Sequence, residues 1–258
     1  MSDDSIRQSF NRAASTYAAT ALLQEQVAGQ LVRDLRTSVP AEFSGLLLDA
    51  GCGTGYCLTQ LSTLYPKATR IGIDFAESML QTLPDHAGLC RINGDLQQLP
   101  LKDASVDLYV SSLAWQWCNL EQATHEAARV LKHGGQLWLT TLVEGTFQEL
   151  RDTLTDAGLT PESHVLPAAA KERVLSAFQA SPLQVVATRC DALTTLHPNF
   201  AELRRSIRGV GANHVSTPAR ETITKATRRR LLDAYESRRT SHGLPLTYNV
   251  LTLQARHV

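Results

Sequence analysis

The segment Leu46–Tyr56 reads LLLDAGCGTGY, an apolar run that ends in three alternate glycines, Gly51, Gly53 and Gly55. Glycine lets the backbone turn tightly and lets a ligand come close to the amides. A helix opening straight after the loop adds unpaired N–H groups and partial positive charge, which suit a carboxylate or a phosphate. Asp74 follows nineteen residues after Gly55, at the end of a second apolar run, TRIGID. A carboxylate at that point can accept two hydrogen bonds from ribose hydroxyls. The chemistry predicted here is the binding of an adenosine-type cofactor. G-x-G-x-G departs from the dinucleotide pattern G-x-G-x-x-G, and Tyr56 is too bulky for the close helix–strand packing that a third small residue would give.

A second stretch raises a different question. Ser111–Leu120, SSLAWQWCNL, follows the apolar run VDLYV and holds two tryptophans and a glutamine, with no Asp, Glu, His or Lys. It is either a core turn or part of a site that moves no proton. One of Trp115 and Trp117 is expected to cover the sheet, because large aromatics are highly buried on average.

The elements that must position these residues follow from periodicity. Residues 4–36 read as helix, in which Leu23, Val27, Leu31 and Leu35 recur every four residues as a stripe suited to packing on a sheet. Phe10 and Tyr17 precede that stripe in a stretch broken by small polar residues, read as a separate short helix and loop. Strands are predicted at LLLDA, TRIGID, LCRIN, VDLYVSS and QLWLTT, with helices from Tyr56, from Glu77 and through QATHEAARVL. Such alternation argues for a parallel sheet covered on both faces. After about residue 145 come helices near 146–157 and 170–178, a β run LQVVATRCDALTTL, an arginine-rich helical stretch and a closing strand, LTYNVLTLQAR.

Lys+Arg and Asp+Glu each number 25 in 258 residues, so net charge points to neither nucleic acid nor a membrane. No apolar run approaches the ~20 residues of a membrane span, and the acidic opening MSDDSIRQSF does not read as a secretory signal. Five cysteines without C-x-x-C spacing predict neither a disulfide framework nor a zinc site, and fit a reducing cytoplasm. No metal is expected. The balance hides a local excess, because His197–Thr240 holds ten Lys/Arg against four acids, a net of +6.

LLDAGCGTGY, GIDFAESML, NGDLQQLPL and ARVLKHGGQLWLTT resemble the successive motifs of class I S-adenosylmethionine-dependent methyltransferases, over residues 46–142. The resemblance implies a Rossmann-like α/β fold: a seven-stranded sheet with helices on both faces, an antiparallel last strand and a helical basic insertion. It implies one domain over residues 1–258, with a helical cover at 1–40, a cofactor-binding core at 46–142 and the insertion at 196–241. The cofactor implied is S-adenosyl-L-methionine. Gly51 and Gly53 would approach its methionine portion and Asp74 its ribose. Asp95 and the Leu96 backbone would meet the adenine amino group, with Phe75 and Met79 flanking the ring. Asp49 and Ser112 complete this cofactor-binding set.

A closer resemblance rests on SFNRAASTYAATALLQEQVAGQLV, LAWQWC and LRRSIRGVGANHV, and runs over nearly the whole chain. These segments together are similar to the malonyl-acyl-carrier-protein O-methyltransferase family of biotin synthesis. That implies methyl transfer to the free carboxylate of a malonyl thioester, carried on an acidic acyl carrier protein or on coenzyme A, to give the ester that starts pimeloyl assembly. The base-free turn agrees. A sulfonium is already a strong electrophile, so alignment is the main requirement, and a carboxylate with a pKa of about 4 arrives ionised. No catalytic acid or base is expected, and Tyr17, Gln116 and Trp117 are candidates for positioning. Arg204 and Arg208 share one helical face at i, i+4, apart from the apolar Phe200, Leu203, Ile207 and Val210. One of these arginines could fork around the malonyl carboxylate, and His214 is a loop candidate for substrate contact. Arg228–Arg230 read as a solvated face or a carrier-docking surface. Other readings stay open: a methyltransferase of another small acid or quinone precursor, or a non-catalytic module on a cofactor fold. RNA is disfavoured because the basic stretch lacks interleaved aromatics for stacking. A monomer is expected.

Overall fold

The computed structural model describes residues 22–83, 88–165, 167–209 and 223–258, without the side chain of Arg208. Phe10, Tyr17, Val210 and His214, singled out above, lie outside the described residues. Seven strands form one sheet: β1 (Leu46–Ala50), β2 (Thr69–Asp74), β3 (Leu89–Asn93), β4 (Val106–Ser112), β5 (Leu131–Leu142), β6 (Leu183–His197) and β7 (Leu244–His257). Their order is β3-β2-β1-β4-β5-β7-β6. The pairs β1–β2, β2–β3, β1–β4 and β4–β5 are parallel, and β7 runs antiparallel to β5, with Leu142 opposite Val250. The seven-stranded sheet with its antiparallel β7 is the architecture the motifs implied. The order reverses between β1 and β4, and in open α/β sheets ligands bind at the carboxyl ends of strands at such a switch point.

The described helices are α1 (Leu22–Arg36), α2 (Tyr56–Leu64), α3 (Glu77–Leu80), α4 (Leu120–Val130), α5 (Gln148–Asp156), α6 (Lys171–Gln179), α7 (Phe200–Gly209) and α8 (Lys225–Glu236). None is long and apolar enough to cross a membrane. Helix α4 begins two residues before the predicted QATHEAARVL because Asn119 caps it, its side chain accepting the Gln122 N–H at 3.0 Å. Strand β5 begins five residues before QLWLTT, since Leu131 already pairs with Val106 and the chain then passes a register shift.

The residues gather into two compact units, one of Leu22–Val143, Ala169–Cys190 and Val250–Val258, the other containing Glu144–Ala168 and Asp191–Asn249. In the first unit, alternation along the strands sends side chains to two cores. Leu47, Leu108 and Val110 join the Leu31 and Leu35 of α1 and the Leu58 and Leu61 of α2. Leu48, Ala50 and Tyr109 join Ala123 and Ala127 of α4 and Phe178 of α6. All four members of the Leu23, Val27, Leu31, Leu35 stripe are buried. In the second unit, Phe147 meets Tyr248 edge-on at 4.9 Å, and Phe200 meets Tyr235 at 5.2 Å. Leu203 and Ile207 of α7 and Leu231 of α8 are buried there, so the apolar face predicted for the basic stretch is a packing face.

Candidate functional site

The loop after β1 is shaped by its glycines, which do not all do the same thing. Gly51 and Gly55 have φ of 75° and 80°, the left-handed region that favours glycine. A Cβ on Gly51 would stand 2.4 Å from Ala114 Cβ, and one on Gly55 2.0 Å from Leu83 Cδ2. Both are therefore demanded by packing as well as by backbone. A Cβ on Gly53 would meet nothing within 4 Å. The middle glycine is thus the one that opens its backbone to a ligand. The close helix–strand approach that Tyr56 forgoes is supplied from the strand side: a Cβ on Gly72 of β2 would lie 2.6 Å from Leu58 Cδ1 of α2. Tyr56 itself is exposed.

Two buried acids flank this loop at the ends of β1 and β2. Asp74 accepts the Gly53 N–H on Oδ2 at 2.9 Å and the Ala76 N–H on Oδ1 at 2.8 Å, so its carboxylate clamps the loop to β2. Burial raises its pKa to about 6 despite these two bonds, which pull the other way. Asp49 is buried, receives the Leu58 N–H from the first turn of α2, and leaves Oδ2 without a partner among the described residues. Burial first, and the Asp74 charge second, push Asp49 up to about 7. Among the described residues neither acid has an ion-pair partner, and burying such charge unpaired is costly. The one carboxylate oxygen of this pair left over, Asp49 Oδ2, favours a positively charged guest.

The next loop is held from below by residues the sequence reading did not single out. Glu126 of α4 accepts the Leu99 N–H at 2.7 Å, and Arg129, one turn on, donates to the Leu99 and Leu101 carbonyls at 2.9 and 2.8 Å. Arg129 also pairs with Glu126 and Asp103, both at 2.7 Å. These bonds fix the segment that begins at Asp95, whose Oδ1 accepts the Gln97 N–H at 2.8 Å. Gln97 Oε1 in turn accepts the Asn119 N–H at 2.7 Å, joining this loop to the tryptophan turn. The only sequence signal was the i, i+3 spacing of Glu126 and Arg129, common on any helix. Met79 and Leu96 are buried beside this region, while Phe75 and Asp95 are half-buried.

The tryptophan turn divides between core and site. Ser111 Oγ donates to the Ala50 carbonyl at 2.6 Å and ties the ends of β4 and β1 together. Ser112 Oγ accepts from Thr140 Oγ1 at 3.1 Å. Leu113 adopts φ 53°, and its N–H is taken by the Thr140 carbonyl at 2.9 Å. Trp115 is fully buried, stacked on Phe178 at 5.8 Å and edge-on to Tyr109 at 6.3 Å, so it is the core member of the pair. Trp117 is half-buried. Gln116 donates to the Leu113 carbonyl at 2.6 Å and accepts from Thr141 Oγ1 at 3.4 Å, which locks its amide on the turn. In the other unit Arg204 lies exposed on α7.

These features fit S-adenosylmethionine. The open backbone at Gly53 and the uncapped N-terminus of α2 at Gly55 suit a carboxylate end. The orphan oxygen of Asp49 suits an adjacent positive charge. Comparison with known proteins agrees. A methyltransferase-domain family model matches residues 48–139. A protein of Bacillus halodurans shares the fold with a TM-score of 0.62 at 17% identity, covering 89% of this chain and 98% of that one. The biotin biosynthesis bifunctional protein BioHC of Teredinibacter turnerae is 34% identical over 97% of this chain and 46% of its own length. The malonyl-[acyl-carrier protein] O-methyltransferase of Dechloromonas aromatica is 38% identical over 252 residues, 97% of this chain and 93% of that protein. With likeness of that degree along nearly its whole length, and with the cofactor loop intact, the chain belongs to the malonyl-[acyl-carrier protein] O-methyltransferase family.

Proposed function

We propose that the chain methylates the free carboxylate of a malonyl group carried on acyl carrier protein, with S-adenosyl-L-methionine as donor, in the synthesis of biotin. The observation that carries this reading is 38% identity over 97% of the chain to a relative of that name, joined to a turn, Ser111–Leu120, that holds no acid or base. The cofactor supplies an electrophilic methyl on a sulfonium. The remaining work falls to the protein's own groups. Asp49 and Asp74 provide negative charge for the positive donor. The Gly51–Gly53 backbone and the first turn of α2 receive its carboxylate, and Asp95, Leu96, Phe75 and Met79 form the adenine end. Ser112 stays with the cofactor set, while Gln116 and Trp117 border the acceptor side and align an acceptor that is already ionised. One arginine of the basic insertion, Arg204 or Arg208, pairs with the acceptor carboxylate, which it can do in forked fashion; Tyr17 and His214 complete the positioning set.

On this reading the chain is a single methyltransferase domain of residues 1–258 that works as a monomer in the cytoplasm. Five free cysteines accord with a reducing compartment. The reading is tested by transfer of a labelled methyl from the cofactor to malonyl-carrier protein, followed by mild alkali. Release of the label as methanol identifies a carboxyl ester. Label stable to alkali would place the methyl on carbon or nitrogen and refute the proposal.

A further inference from the structure

Helix α8 carries more positive charge than its packing requires. Its inner side is settled: Leu231 and Tyr235 are buried, and Tyr235 donates to the Pro245 carbonyl at 2.7 Å. Neighbouring cations are likewise committed. Arg205 pairs with Glu202, Arg239 with Glu236, and Arg238 with Asp156 at 3.2 Å. The outer side is different. Lys225, Arg228, Arg229 and Leu232 fall on one face by their i, i+3, i+4 and i+7 spacing, and all four are exposed. Lys225 and Arg228 make no ion pair among the described residues, and Arg229 reaches Asp233 at 3.8 Å with both side chains largely in solvent. A pair so exposed is worth about 0–1 kcal/mol and leaves the charge available. Leu232 is 37% exposed in the midst of these cations, and Ile223, 42% exposed, leads into the helix.

We infer that this face of α8 is a docking surface for the acidic carrier protein, with an acidic helix of the partner along Lys225, Arg228 and Arg229 and an apolar side chain against Leu232. The inference rests on the function proposed above, which puts the acceptor on such a carrier. Charge complementarity selects the occupant. A chain of zero net charge that gathers +6 in residues 197–240 carries −6 elsewhere, so an acidic partner is drawn to this stretch and repelled by the rest. A second copy presenting the same face is equally basic and offers it no complement there. Cations set the encounter rate and orientation, while the exposed leucine supplies desolvated contact.

The test compares the parent chain with a Lys225→Ala/Arg228→Ala/Arg229→Ala variant, in which alanine preserves helix propensity. KM for malonyl-carrier protein should rise by about 10–100-fold, the range of lost steering. The kcat and the affinity for S-adenosylmethionine should hold, and the steep salt dependence of kcat/KM in the parent should flatten. Leu232→Ser should raise KM while keeping the salt dependence. Unchanged KM and salt dependence in the triple variant would overturn the inference, and so would a joint fall of kcat and cofactor affinity. If the parent itself methylates no malonyl-carrier protein, the function proposed falls. Anisotropy of labelled carrier protein with parent and variant still decides the docking surface: weaker binding by the variant supports it, and equal binding refutes it.

Discussion

Replacing Asp49 with asparagine should stabilise the cofactor-free protein at alkaline pH and weaken its hold on the cofactor. The magnitude follows from the buried acid pair. The Asp49 pKa moves from 3.8 to about 7 on folding, a rise of about three units. Each unit is about 1.4 kcal/mol, so an ionised Asp49 costs the folded chain about 4 kcal/mol. The sign is fixed by linkage. Between 3.8 and about 7 the native state keeps a proton that the unfolded chain releases, so stability declines across that window as pH rises. Asparagine removes the charge but leaves part of its amide without a partner, which returns about 1–2 kcal/mol. Asp49→Asn is therefore expected to gain about 2 kcal/mol at pH 8 and little or nothing at pH 5. Urea unfolding across that range without cofactor reads the difference directly. Calorimetry near pH 7 should also show that S-adenosylmethionine expels a proton from the parent and not from the variant. An Asp49→Asn effect of constant size at every pH would rule out a raised Asp49 pKa, because it would mean that Asp49 is ionised throughout or does not titrate with folding.

Three further outcomes are expected. Gly55→Ala should cost stability twice over, about 1–2 kcal/mol for the left-handed backbone and a further 1–3 for the clash with Leu83, whereas Gly53→Ala should cost only the first and yet lose most cofactor affinity; urea unfolding and calorimetry separate the two. Arg129→Met should destabilise by about 3 kcal/mol, since it strands the Glu126 carboxylate. The hydrogen bonds from Arg129 hold the Glu126 pKa below its ordinary 4.5, so this contribution is present above that pH and lost as pH falls below it; Glu126→Gln should flatten the acid limb of the stability profile. Arg204→Ala or Arg208→Ala should lower kcat/KM for the malonyl acceptor by about 10–100-fold, the worth of one charge-assisted bond, with cofactor affinity retained; equal loss of both would point to damage to the fold.

Most strands were legible in the sequence because each is a short apolar run closed by a turn residue, as in LCRIN and VDLYVSS, whose limits coincide with β3 and β4. The Leu23–Leu35 stripe was legible for the same reason, since a helix on a sheet repeats its buried face. The glycine loop announced a ligand, but the division of labour within it did not show. Whether a glycine is demanded by a neighbour such as Leu83 or left open like Gly53 depends on what the fold brings opposite it. Sequence spacing likewise suggested that Asp74 faces a ribose; it could not show that both carboxylate oxygens already receive backbone N–H groups. Trp115 and Trp117 could not be told apart, because only the position of Phe178, some sixty residues on, makes the first a core residue. The Glu126–Arg129 support was hidden because its partners are main-chain carbonyls and an N–H, which have no signature in side-chain composition.

The proposed acceptor is a free carboxylate which needs no base. Intact-protein mass spectrometry of malonyl-carrier protein, incubated with the chain and S-adenosylmethionine, addresses it in one step, with acetyl-carrier protein in parallel. One added methyl group is expected on the malonyl form and none on the acetyl form, which lacks the free carboxylate. Methylation of both forms, or of neither while the cofactor binds, would contradict it.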